Sequence, residues 1–370
     1  MKNIDRRHWL KTVGLTGSFA LLGGLESMAL DFPLRTNSAD SMVLLNANEN
    51  PYGPSERVRK ILTKSFDEAC RYPFRSLSGL VEMIALKEGV TKDHVVVTGG
   101  STEGLKAAGL VYGLGGGEII SADPTFQAML RYAETFKAKV HRVPINEAMG
   151  HDLPAMAEKI NKNTRLIFIC NPNNPTGTLL NKSSLLDFCK SYEKDAVIFS
   201  DEAYYDFITE PEYPSMVELV KEGKNIIVSK TFSKVYGLAG LRVGYLIAKP
   251  EIALNLKSAV MANTNILAIE AAKEALRDNE FYKFSVMQNF KAKSLIYRHL
   301  DDLGLDYVKS HTNFVFFKTG RPIQTVINEM KKHNVLIGRP FPPLNNWARI
   351  STGRLEDMET FGQALKQVMS

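Results

Sequence analysis

Apolar positions along this chain switch between two spacings. Short runs rich in β-branched and aliphatic residues at 95–97, 118–121, 165–170, 196–200, 225–229 and 243–248 alternate with stretches of helical periodicity. That alternation predicts an α/β fold built on a mostly parallel sheet. Several of the runs end in polar or glycine residues, which puts chemistry at the carboxyl ends of the strands, where open α/β sheets bind ligands. Beyond residue 256 the pattern changes. A helical stretch covers 266–303, followed by shorter strands at 313–317, 335–337 and 348–351. This reads as a second, smaller domain. Proline and glycine in Gly338-Arg339-Pro340-Phe341-Pro342-Pro343 exclude regular structure, so this segment is expected as a loop facing the cleft. The expected division is 56–256 for the large domain, 257–370 for the small one, and 30–55 for an N-terminal arm that joins the small domain.

Length and composition support this picture and remove some alternatives. A chain of 370 residues exceeds what one ordinary core organises, and 44% hydrophobic with 23% charged residues is a globular balance. The net charge of +6 is spread along the chain, which excludes the clustered basic surface of a nucleic-acid binder. Cys70, Cys170 and Cys189 are odd in number and lack metal-ligand spacing, so they are expected as packing residues. The seven histidines show no H-E-x-x-H spacing, and no metal is expected.

The first 29 residues stand apart. Asp5-Arg6-Arg7-His8-Trp9-Leu10-Lys11 precedes a mildly apolar run at 12–25 and then Ser27-Met28-Ala29. The segment resembles a twin-arginine (Tat) signal peptide, and its glycines leave the apolar run too weak for a stable membrane span. Export of the folded protein, to a periplasm, is the implication, with a cytoplasmic location as the alternative.

Two segments carry candidate chemistry by themselves. Gly99-Gly100-Ser101-Thr102 follows a strand and opens a helix, so backbone N–H groups and the helix N-terminus could cradle an anion such as phosphate. A tight turn explains a lone Gly-Gly equally well. Thr231-Phe232-Ser233-Lys234 ends another strand, with Arg242 eight residues on. A desolvated lysine beside a second cation can act as a carbonyl-capturing amine, although an arbitrary lysine is usually solvated surface.

The motifs taken together are far more specific. Asn171-Pro172-Asn173-Asn174-Pro175-Thr176-Gly177, then Asp201-Glu202-Ala203-Tyr204, then Ser233-Lys234-Val235-Tyr236-Gly237-Leu238-Ala239-Gly240-Leu241-Arg242 resembles the class I/II aminotransferases of pyridoxal-phosphate (PLP) fold type I. With Asn46-Ala47-Asn48-Glu49-Asn50-Pro51-Tyr52-Gly53 and Arg71-Tyr72-Pro73 added, the chain is most similar to the histidinol-phosphate aminotransferase family over nearly all of its length after the signal. The resemblance implies a mostly parallel seven-stranded sheet flanked by helices, a smaller α+β C-terminal domain, and a homodimer with shared active sites.

It also assigns residues. Lys234 resembles the Schiff-base lysine, which also moves the substrate's α-proton. Asp201 matches the partner of the pyridinium nitrogen, while Tyr204 and Asn174 match the pair on the ring oxygen. Phe126 sits where an aromatic ring stacks on the cofactor. Gly100, Ser101, Thr102, Thr231, Ser233 and Arg242 surround the phosphate, and Tyr72 of the partner subunit reaches it across the dimer. Arg349 matches the arginine that clamps the substrate's anionic group, with Asn50 and Arg339 as further substrate contacts. The loop around Arg339 is shorter and richer in proline than the family's. The expected reaction is ping-pong amino-group transfer between an amino acid, or an amine like one, and a 2-oxo acid. β-Lyase or decarboxylase chemistry, and a non-catalytic PLP-binding regulator, are the competing readings.

Overall fold

Strands form where the sequence is richest in β-branched and aromatic side chains. The computed structural model describes residues 42–370, and the signal-like segment lies outside them. In chain order its strands are β1 (Val43–Leu44), β2 (Val95–Thr98), β3 (Glu118–Asp123), β4 (Lys139–Pro144), β5 (Thr164–Cys170), β6 (Val197–Asp201), β7 (Ile226–Thr231), β8 (Gly244–Ala248), β9 (Tyr307–Val308), β10 (Phe314–Lys318), β11 (Val335–Leu336) and β12 (Trp347–Ser351). Strands β2 to β8 make one seven-stranded sheet in the order β2-β8-β7-β6-β5-β3-β4. Within it only β8 runs against its neighbours. The fold is therefore the expected α/β class.

Six of the seven strands coincide with apolar runs in the sequence. The seventh, β4, does not, because an edge strand is only partly covered and its sequence Lys-Val-His-Arg-Val-Pro keeps polar side chains facing out. Helices cover both sheet faces. One face buries Ile120, Ile167, Ile198 and Val228 under the helices Phe74–Glu88 and Ile266–Arg277. The other buries Val96, Phe168, Phe199 and Leu246 under Ser101–Gly113 and Pro250–Ser258. Phe168 and Phe199, with ring centroids 5.9 Å apart, are wholly buried, and each such side chain stabilises the fold by roughly 1.5–3 kcal/mol.

The expected helical stretch 266–303 is two helices, Ile266–Arg277 and Asn279–Asp302. Asp278 makes the break. Its carboxylate accepts the Phe281 N–H, capping the second helix, and accepts the Ser55 hydroxyl at 2.7 Å. A third apolar cluster joins Leu45 to Ile296, Val315, Phe317, Ile350 and Phe361, around the three-stranded sheet β12-β10-β9 and the parallel pair β1-β11. Residues 43–45 thus pack with the C-terminal elements. Cys170 and Cys189 are buried as expected, but Cys70 is exposed, because it ends the short surface turn Phe66–Cys70. Among the described residues no helix is long and apolar enough to cross a membrane.

Candidate active site

Sheet register assembles the site. Gly244, the first residue of β8, lies opposite Thr98 at the end of β2 and opposite Thr231 at the end of β7. Since β8 is antiparallel to both, its beginning meets their ends, so the two anion-binding candidates of the sequence become one. A Cβ on Gly244 would stand 2.7 Å from the Ser101 nitrogen and 2.9 Å from the Lys230 carbonyl oxygen, which leaves room only for glycine.

The turn after β2 has the backbone an anion needs. Gly100 adopts φ +82°, and no side chain caps the helix Ser101–Gly113 that follows, leaving its first N–H groups as free donors. The Arg242 guanidinium packs directly against Gly100, where a side chain would collide with it. Arg242 itself adopts a left-handed φ of 57° and donates to the carbonyl of Ala239 at 2.7 Å and to the Ser233 hydroxyl at 3.4 Å. Thr231 donates to the same hydroxyl at 2.9 Å. Gly100, Ser101, Thr102, Thr231, Ser233 and Arg242 therefore gather at one point. A cavity of about 370 Å³ opens beside it, lined by Gly99, Thr102, Glu103, Tyr132 and Arg242 among others.

Asp201 lies at the carboxyl end of β6, next to β7, and is 2% exposed. Its Oδ1 has no hydrogen-bond partner among the described residues. Burial pushes its carboxyl up to about 7, against which the Ala203 N–H and the nearby Lys234 work. Lys234 is within electrostatic reach of this carboxyl and of Arg242. Its Nζ donates to the Asn48 carbonyl at 2.6 Å and stands 5.4 Å from the centre of the Tyr204 ring. Burial, followed by the proximity of Arg349, brings the Lys234 ammonium down to about 8.

Tyr204 is buried with its ring edge-on to Phe314, and its hydroxyl oxygen accepts from Asn48 Nδ2 at 2.8 Å and from Asn174 Nδ2 at 3.2 Å. Arg349 reaches the same network from β12. It donates to Asn174 Oδ1 at 2.7 Å and to the Asn46 carbonyl at 3.1 Å, while its buried Nε has no partner among the described residues. Burial lowers the Arg349 guanidinium to about 10, and the neighbouring Arg339 acts in the same direction. Both arginines lie over the Phe341 ring, at 4.9 and 4.4 Å from its centre. Arg339 is exposed and donates only to the next carbonyl, that of Pro340. The loop that carries Arg339 and Phe341 is irregular, as expected.

The remaining expected residues fall in three places. Phe126 is half-buried just after Thr125, which donates to Asn173 in the Asn171–Gly177 motif. Asn50 bonds away from the cluster, donating to the Val235 carbonyl and to the Ser285 hydroxyl. Tyr72 is 82% exposed and stacked on Phe74, so within one chain it belongs to the surface. Asn48 and Ser351 occupy the site without having been singled out in the sequence. Their only signal was membership of the Asn46–Gly53 and Trp347–Ser351 motifs. A buried network behind the site was also missed. Lys230 bonds Glu88 at 2.8 Å, Tyr245 donates to the same carboxylate, and Glu202 lies 3.8 Å from Lys230 while accepting from Ser215 and the Met216 N–H.

A phosphate cradle, a desolvated amine and an unpaired buried carboxyl at neighbouring strand ends define a PLP-dependent enzyme of fold type I. The chain belongs to the class I and II aminotransferase family, whose model matches residues 40–365, and it is a histidinol-phosphate-aminotransferase-like transaminase. It is 36% identical to the histidinol-phosphate aminotransferase of Moorella thermoacetica over 333 residues, 89% of this chain and 86% of that one. It is 35% identical to that of Caldicellulosiruptor saccharolyticus over 336 residues, 89% and 92% of the two chains. The structure of the Sinorhizobium meliloti histidinol-phosphate aminotransferase in complex with pyridoxal 5′-phosphate superposes with a TM-score of 0.83 at 22% identity, covering 94% of this chain and 99% of that one. The donor set fits PLP. The Asp201 oxygen, partnerless among the described residues, suits a protonated ring nitrogen, and the uncapped amides of Ser101 and Thr102 suit the phosphate.

Proposed function

We propose that Lys234 holds the cofactor covalently, that Asp201 keeps its ring nitrogen protonated, and that Tyr204 and Asn174 face its ring oxygen. The observation that carries this reading is the Asp201 oxygen, buried without any partner at the end of β6, beside a lysine whose ammonium is brought down to about 8. A buried carboxyl in that state is stabilised in its ionised form by an adjacent cationic ring. PLP supplies an electron sink for the bond to be broken at the substrate's α-carbon. The chain supplies the rest. Lys234 removes the proton from that carbon and returns it, the Gly100 turn with Ser101, Thr102, Thr231, Ser233 and Arg242 anchors the phosphate, and Phe126 covers one ring face.

Arg349 holds the anionic group of donor and acceptor in turn, and its unpartnered Nε is the donor left over for that anion. Arg339, sharing the Phe341 ring, meets the distal end of the substrate. The substrate is an amino acid or an amine like one, and a 2-oxo acid is the acceptor. Tyr72, exposed in the single chain, completes the cofactor site of a second copy, which makes the homodimer the active unit. Residues 1–29 direct export. Changing Arg6 and Arg7 to Lys should retain an active enzyme in the cytoplasm, and a wild-type protein that keeps Met1 and never leaves the cytoplasm would refute this part.

A panel of amino acids and histidinol phosphate, each tried with 2-oxoglutarate, tests the reaction. Turnover that depends on the 2-oxo acid supports amino transfer, and turnover without it establishes a lyase or decarboxylase instead. Borohydride reduction of the purified protein should leave the pyridoxyl group on Lys234. A reducible adduct in Lys234→Ala would overturn the assignment.

A further inference from the structure

The hydrogen bonds around Tyr204 run in a fixed direction. A guanidinium only donates, so Arg349 obliges Asn174 to turn its Oδ1 toward β12 and its NH₂ toward Tyr204. Ser351, two residues further along the same strand, donates its hydroxyl at 2.8 Å to Asn48 Oδ1, and so turns the second NH₂ toward the same phenol. The Tyr204 oxygen thus accepts twice. Among the described residues its own O–H has no acceptor, although the side chain is only 4% exposed. Asn48, 6% exposed, is also the residue whose carbonyl holds Lys234 Nζ, and Asn46 beside it accepts from Arg349. A filler residue would not need this set of partners.

We infer that Asn48 is a positioning residue for amino transfer: its amide, oriented by Ser351, obliges the Tyr204 hydroxyl to donate away from the protein and onto the cofactor's ring oxygen. This rests on the placement of Tyr204 against that oxygen. Arg349 and Ser351 then act on Tyr204 through two parallel asparagines, so the strand that meets the substrate's anion is linked to the cofactor ring. The charged and titratable groups around this link are Lys234, Asp201, Arg349, Glu49, Arg242 and Cys170.

The test reads the pH midpoint of the holoenzyme's visible absorption. Donation to the ring oxygen favours the form that has lost its proton at the Lys234 nitrogen, so losing that donor raises the midpoint. Asn48→Asp keeps the shape but offers the phenol an acceptor where it had a donor, so the hydroxyl turns toward the protein. Its midpoint should rise by about one pH unit, and the first half-reaction should slow by roughly tenfold. Asn48→Ala, which removes the donor but adds no acceptor, should shift it less, and Ser351→Ala less again. A carboxylate acting only through its charge, or a packing role, predicts that the uncharged Asn48→Ala and Ser351→Ala leave the midpoint where it is. An Asn48→Asp midpoint equal to that of the wild type overturns the inference. If that variant does not accumulate as holoenzyme, an unshifted Ser351→Ala has the same force. Tyr204→Phe is the reference, because an unmoved midpoint there refutes the placement of Tyr204 itself, and a moved one leaves Asn48 alone on trial.

Discussion

Burial shifts the two side chains proposed to hold the cofactor in opposite directions. It raises the Asp201 carboxyl and lowers the Lys234 ammonium, because in both cases a charged form has lost water. For Lys234 the consequence is measurable in the PLP-free protein. Only the neutral amine captures an aldehyde, so the capture rate should climb about tenfold per pH unit below 8 and level off above it, where an ordinary lysine would keep climbing to beyond 10. Stopped-flow mixing with PLP across pH 6–10 would show which curve holds. Arg349 supplies a second residue-scale prediction. Its fork is buried, and removing one partner of a buried charge-assisted pair costs about 3–5 kcal/mol, so Arg349→Ala should lower kcat/KM by roughly two to three orders of magnitude. PLP should still bind. Arg349→Lys keeps the charge without the fork and should recover only part of the loss. Unchanged rates in both half-reactions would move the anion to Arg339.

In the proposed site the element that anchors the cofactor is the strand-turn-helix at β2, and its weakest point is one backbone conformation. Gly100→Ala would force a left-handed φ on a residue with a side chain and push that side chain into Arg242. Such strain costs about 1–3 kcal/mol, and the displaced guanidinium is a phosphate ligand in the proposed site. PLP affinity should fall at least about tenfold, with melting temperature reduced in both forms and more in the loaded protein. An alanine variant that binds PLP as the wild type does would remove the turn from the cradle. How much of the elements was legible follows from their surroundings. The interior strands β5, β6 and β7 announce themselves because both faces are covered, which confines their polar residues mostly to the strand ends. Edge strand β4 keeps polar residues because one side meets water. The division of residues 266–303 depended on Asp278, whose capping bond is local but whose second bond, to Ser55, spans more than two hundred residues of chain.

At the scale of the molecule, the single chain leaves Tyr72 and Phe74 exposed as a stacked pair, 82% and 65% accessible, far from anything their own chain does with them. If Tyr72 serves the neighbouring cofactor, a Lys234→Ala subunit paired with a Tyr72→Phe subunit should contain one site with both defects and one with neither. Mixing the two inactive or impaired proteins should return up to about half of the wild-type activity per verified mixed dimer. No recovery in such dimers, or full activity in a monomer, would end that assignment.

The sequence by itself determined the α/β class and the interior strands, and its resemblance to the aminotransferases singled out Lys234, Asp201, Tyr204, Asn174, Arg242 and Arg349 as candidates, because the resemblance lies in contiguous motifs. Tertiary structure decided what those motifs do to one another. That the Gly100 turn and the Thr231–Arg242 stretch are one cradle follows from the antiparallel insertion of β8 between β2 and β7, a pairing across more than a hundred residues that no local pattern encodes. That Asn48, and not Asn50, faces Tyr204 follows from how the first described residues pack on β12. Two asparagines two positions apart have the same donors and acceptors, and only the packing around them selects which one meets the phenol.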